Sequence, residues 1–122
     1  SVMAYVRFIK SAPYCASKAA VTAFGETLQL ELRDSSVDCT IIHPGFVESE
    51  IGQINAEGTF DPTMVDRRPQ HLMWTGEKAA HVMKRAIDKR RSHYTFTVHG
   101  VIGERLARFF PRILLWAMKR FV

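Results

Sequence analysis

Tyr14 and Lys18 stand four residues apart at the head of the run YCASKAAVTAFGETLQLEL, residues 14–32. On a helix, side chains at that spacing are stacked neighbours about 5–6 Å apart. A phenol ionises near pH 10, so acid–base work near neutrality asks for about 4 kcal/mol of help. A lysine ammonium about 6 Å away contributes about 2.8 kcal/mol at an effective dielectric of about 20, and a cationic cofactor ring beside it would supply the rest. Cys15, Ala16, Ser17, Ala19 and Ala20 are all small, so something large can approach this face. Alone, such a pair is far more often a solvated helix face than a site. Two features give it company: the hydroxyl of Ser1, thirteen residues upstream, and the stretch P-G-F-V-E-S at 44–49.

The elements that must position these groups follow from the pattern of apolar residues. Pro13 suits the first turn of a helix, and Val21, Phe24, Leu28 and Leu32 then recur at three- and four-residue steps until Asp34-Ser35-Ser36 ends the run. Residues 37–42, Val-Asp-Cys-Thr-Ile-Ile, predict a strand buried on both faces and stopped by His43-Pro44-Gly45. Residues 46–75 mix Gly, Pro and Asn with apolar groups, the composition of a binding loop or lid. From Glu77 to Arg91 the positions Ala79, Ala80, Met83, Ala86 and Ile87 predict a second amphipathic helix capped by Thr75. Tyr94, Phe96 and Val98 alternate with Thr95 and Thr97, a second strand. Gly100 and Gly103 then lead into a basic, aromatic tail over 100–122, interrupted by Pro111. This order is that of parallel α/β packing, and two strands are too few for a finished sheet.

Y-C-A-S-K-A-A, Ser1 and P-G-F-V-E-S after a buried strand together resemble the short-chain dehydrogenase/reductase family, whose signature helix reads Y-x-A-S-K-A-A. The resemblance extends over essentially the whole chain. It implies a Rossmann-like, doubly wound parallel sheet and an NAD- or NADP-dependent interconversion of an alcohol and a carbonyl. It makes Tyr14 the catalytic acid/base, and Lys18 the residue that aids the tyrosine and bonds the nicotinamide ribose. Ser1 becomes the serine that holds the substrate oxygen. Pro44-Gly45 matches the turn against the nicotinamide, and Val47 the backbone position that meets its carboxamide. Ser49 stands where the family usually has threonine, and keeps the hydroxyl. The family's glycine-rich first turn, its N-N-A-G stretch and the asparagine of its catalytic tetrad have no counterpart here. All would precede Ser1, so the chain is expected to be the C-terminal portion of one such domain, active only within a longer parent. The variable substrate loop falls at 46–75, where Ile54, Phe60, Met64, Leu72, Met73 and Trp74 suggest a hydrophobic substrate.

Other classes fit less well. The net charge of +5 splits into −3 over residues 1–83 and +8 over 84–122, so an acidic partner would be met in the last third. The block Lys84, Arg85, Lys89, Arg90, Arg91 lacks interleaved aromatics and reads as a solvated helix end rather than a nucleic-acid site. Five histidines show no ligand spacing, and no metal site is expected, although His93 and His99 would share a strand face. Cys15 and Cys39 make no disulfide framework and favour a reducing, cytoplasmic setting. No apolar run approaches the ~18 residues of a membrane span. An N-terminal-nucleophile reading of Ser1 has no support from the rest of the chain. The tail from Arg105 to Val122 carries a wide apolar surface interspersed with cations. Its preferred reading is a cover for the substrate cleft or a contact in a homo-oligomer; the other is a helix lying in a membrane surface through 104–122. The alternative to an enzyme is a truncated, non-catalytic interaction module built on the first helix and this tail.

Overall fold

The structure, a computed structural model, describes residues 1–55, 57–66 and 68–121. A 3₁₀ turn at Val2–Ala4 precedes helix α1 (Ala12–Glu31) and strand β1 (Ile41–His43). Two more 3₁₀ turns, Glu50–Gln53 and Gln70–Leu72, punctuate the long irregular stretch. Helix α2 (Gly76–Asp88), strand β2 (His93–Thr95) and helices α3 (Val98–Phe109) and α4 (Pro111–Phe121) follow. The strands pair in parallel, with Ile41 opposite His93, Ile42 opposite Tyr94 and His43 opposite Thr95. Parallel strands need a crossover, and α2 lies within it, so β1, α2 and β2 form one βαβ unit. The chain is therefore α/β with a small parallel sheet.

Helix α1 places Pro13 in its first turn, as expected, but the face it buries is not the expected one. Its inward residues are Cys15, Thr22 and Gly25, whereas Val21 is 60% and Phe24 70% exposed. A Cβ on Gly25 would stand 2.7 Å from Ile41 Cγ1, so the helix lies too close to the sheet for a large residue between them. The side-chain amide of Gln29 donates to Cys39 O (2.9 Å) and Ser92 O (2.7 Å), fastening the end of α1 to the approaches of both strands.

The strands are shorter than the sequence predicts. β1 begins only at Ile41, and Val37 is exposed. The carbonyl of Cys39 accepts from Gln29 instead of a neighbouring strand. β2 stops at Thr95, because Thr97 takes φ 76° and caps α3, its Oγ1 accepting from Gly100 N at 3.2 Å. Val98 thus starts a helix, and His99 shares no strand face with His93. Gly100 and Gly103 lie inside α3, and Pro111 opens α4. Helix α2 matches its expected start, with the Thr75 side chain accepting from Lys78 N. The apolar core is small: Ala4, Val6, Cys15, Ile41, Ala79, Ala86 and Phe96.

Candidate active site

Ser1 is anchored by its backbone. Its hydroxyl accepts from Met3 N at 3.2 Å and caps the first 3₁₀ turn, while Val2 N donates to Pro44 O at 3.0 Å. The serine and the Pro44-Gly45 turn are thereby stitched together. The carbonyl of Ser1 lies 3.3 Å from His43 Nδ1, and His43 Nε2 lies 3.2 Å from the Tyr5 hydroxyl. Arg108 Nη2 donates to that hydroxyl at 2.8 Å, and its guanidinium covers the Tyr5 ring at 4.8 Å. Since arginine only donates, the chain of bonds assigns the protons. Tyr5 gives its hydrogen to Nε2, and Nδ1–H donates to the Ser1 carbonyl. His43 is 1% exposed and stacks on His93 at 5.8 Å. Burial holds its pKa below the ordinary histidine value, which suits the neutral form these bonds require.

Tyr14 and Lys18 meet on α1 as their spacing predicts, the ammonium 5.1 Å from the centre of the Tyr14 ring. Helix α1 packs against the 3₁₀ turn that Ser1 caps. Tyr14 is 41% exposed, and Lys18 is half-buried. Among the described residues neither the Tyr14 hydroxyl nor Lys18 Nζ has a hydrogen-bond partner. Cys15 beside them is buried with its thiol 4.0 Å from Val6 O, a core position.

The turn that follows β1 is tightly clamped. A Cβ on Gly45 would collide with Thr97 Oγ1 and stand 2.6 Å from His99 Nε2, and His99 stacks on Phe46 at 5.3 Å. Downstream, a bridge to Trp74 uses the carbonyls of Phe46 and Trp74 and the N–H groups of Glu48 and Trp74, but not the N–H of Val47. Arg68 then grips this strand-like segment. Its Nη1 donates to Val47 O and Ser49 Oγ, both at 3.1 Å, and its Nη2 donates to Ser49 O at 2.6 Å. Asp66 pairs with the same guanidinium at 2.7 Å, and the bonds from Arg68 bring its carboxyl down to about 2.

Ser1 is thus tied through Val2 to Pro44, Tyr14 and Lys18 meet on α1, and Val47 and Ser49 are tied to Arg68. Sequence reasoning missed Tyr5, His43, Arg68 and Arg108. Only Asp66 near Arg68 carries a local signal; Tyr5 and Arg108 are 103 residues apart. Two shallow clefts, of about 300 and 200 Å³, include neither Tyr14 nor Lys18; the larger is bordered by Arg91, Tyr94, Glu104 and Arg105.

Residues 1–59 match the family described as short chain dehydrogenase. Over 109 residues, 89% of this chain and 39% of the relative, it is 29% identical to an uncharacterized oxidoreductase of Myxococcus xanthus. It is 30% identical over 84 residues to dehydrogenase/reductase SDR family member 7B of Xenopus laevis, 64% of this chain and 24% of that protein. The chain is similar to members of the short-chain dehydrogenase/reductase family. A shorter stretch, 40 residues, is 55% identical to 11-beta-hydroxysteroid dehydrogenase-like 6 of Arabidopsis thaliana, covering 33% of the chain and 11% of the relative. The matched parts span well under half of each of these relatives. No solved structure matches the chain.

Proposed function

We propose that the protein carrying this chain is an NAD- or NADP-dependent oxidoreductase that interconverts an alcohol and a carbonyl. The observation that carries this reading is the meeting of an uncommitted phenol and an uncommitted ammonium, Tyr14 and Lys18, on the helix that packs against the turn capped by Ser1. In reduction, the Tyr14 hydroxyl gives its proton to the substrate oxygen; in oxidation it takes one. The Ser1 hydroxyl accepts from Met3 N and keeps its own hydrogen for that same oxygen, stabilising the charge that develops there.

The donor set fits a nicotinamide nucleotide. Lys18 Nζ is free to bond ribose hydroxyls. Val47 N–H is left out of the bridge to Trp74, and Ser49 Oγ, accepting from Arg68, retains a proton to donate. The side-chain-free Gly45 turn lies between them in sequence. When bound, the nicotinamide supplies or accepts the hydride.

The βαβ unit and α1 form, in this reading, the C-terminal part of a doubly wound Rossmann sheet. Residues 46–75 are its substrate loop, and exposed Ile51, Phe60, Met64 and Leu72 within them support an apolar substrate. The bare Val21 and Phe24 on α1 support association of copies, and free Cys15 and Cys39 support a reducing, cytoplasmic setting. The test is Tyr14→Phe in the complete protein, assayed with a panel of hydrophobic alcohols and ketones and with both nucleotides. Turnover should fall by at least about 100-fold, the scale of lost general acid–base catalysis, with cofactor affinity nearly unchanged. A variant that keeps a tenth of the activity overturns the assignment.

A further inference from the structure

The helices α3 and α4 leave an apolar, cationic face that the oxidoreductase reading does not use. Half-buried Leu114, Ala117 and Met118 lie on α4, which packs against α3. Phe109 and Phe110 at the junction of the two helices, and Ile113 and Trp116 on α4, are instead exposed, Trp116 by 63%. Cations surround them: Arg112 stands four residues before Trp116, and Lys119 and Arg120 three and four after it. Glu104 is the one acidic residue from 98 to 122, and it is already paired with Arg108 at 3.0 Å. Among the described residues Arg105, Arg112, Lys119 and Arg120 make no ion pair.

We propose that the α3–α4 junction and α4 dock this protein on an anionic phospholipid surface. At 11 residues and about 1.5 Å per residue, α4 is far too short to cross a bilayer, and among the described residues no helix is long and apolar enough to do so. A helix of this kind lies in the headgroup plane with its aromatic and aliphatic groups sunk into the acyl boundary. The indole of Trp116 suits that boundary, having an apolar body and one N–H donor. Arginine and lysine stems run along the apolar surface while their heads reach phosphates. A second copy of this chain would set unpaired cations against cations across a symmetric contact. An anionic lipid surface supplies the missing countercharge without limit on geometry. The proposal does not depend on the catalytic assignment.

The experiment uses the complete protein with every tryptophan other than Trp116 replaced by phenylalanine, so that emission reports Trp116 alone. It is floated with vesicles of phosphatidylcholine alone and with vesicles also containing phosphatidylserine. Binding to the anionic vesicles, a blue shift of the Trp116 emission and release by high salt are expected. R112Q/K119Q/R120Q should weaken partition by about 100-fold, three charges at about fivefold each. Trp116→Ser should abolish the insertion with circular dichroism unchanged. No binding to either vesicle, equal binding to both, or an unshifted emission overturns the proposal. So does a Trp116→Ser variant that changes oligomeric state or KM while vesicle binding persists, since the face would then be a contact between copies or a cover for the cleft.

Discussion

The carbonyl of Ser1 is held by His43, so the serine reports on a histidine 42 residues away. That histidine is neutral in the bonding scheme, accepting from Tyr5 and donating to Ser1. Protonation would put a second N–H where the Tyr5 hydrogen now points, between two groups that already donate. The folded pKa lies below that of a free histidine, near 6.5, chiefly because of burial. The unfolded chain therefore binds more protons in that window, and stability falls as the pH drops below about 6.5. His43→Phe keeps a ring against His93 but removes two hydrogen bonds, at about 0.5–1.5 kcal/mol each, while Ala4 N still serves the Ser1 carbonyl and Arg108 the Tyr5 hydroxyl. Urea melts of the complete protein at pH 5, 6 and 8 separate the two effects. The variant should be weaker at pH 8 and flatter between 8 and 5. Parallel pH slopes for variant and wild type would show that His43 does not titrate with folding. Asp66 acts in the same direction at lower pH: held near 2 by Arg68, it weakens the 46–75 loop only as the pH falls below about 4.

Among the elements, α1 shows how a helix can be read correctly while its buried face is not. Large apolar residues dominate any periodicity argument, yet the residues that touch the sheet are Cys15, Thr22 and Gly25. Glycine in mid-helix costs about 1 kcal/mol relative to alanine, a cost offset here by the close approach to Ile41. Gly25→Val should therefore destabilise by about 1–3 kcal/mol through overpacking, measured as a lowered midpoint in urea. Gly25→Ala should lie much closer to neutral, because the Ile41 side chain can yield and the helix gains propensity. A Gly25→Val protein as stable as wild type would place the helix further from the sheet. Helix α2 was legible for the opposite reason: its Thr75 cap and its small inward residues Ala79 and Ala86 are all local signals. The pairing of Tyr14 with Lys18 was legible too, because helical spacing alone creates it. Strand ends were not legible, since β1 and β2 extend only as far as each other's hydrogen bonds and the Gln29 clamp allow. Nor was the end of β2, which depends on the positive φ of Thr97. The Tyr5–His43–Arg108 chain joins three distant segments, and nothing in any one of them announces the other two.

Over the whole molecule, apolar surface is poorly matched to its cover. Among the described residues the sheet has two strands, so each has one edge without a partner strand, and the buried apolar residues are few and mostly small. Val21, Phe24, Leu30, Ile51, Phe109 and Trp116 all face outward. Exposed strand edges and contiguous apolar patches recruit other chains. In the proposed reading, residues outside this chain complete the sheet and carry the turn that cradles the cofactor's phosphates. The 122 residues alone should then associate in solution and should not bind NAD or NADP at micromolar affinity, although Tyr14, Lys18 and Ser1 are all present. Sedimentation velocity across a concentration series, with isothermal titration of each nucleotide, tests both parts. A monodisperse monomer that binds either nucleotide tightly would mean that the α1–βαβ unit is a self-sufficient site. The phosphate cradle assigned to other residues would then have to be sought within this chain, where the amide groups heading α3 and the unpaired cations beyond α2 would be the first to probe.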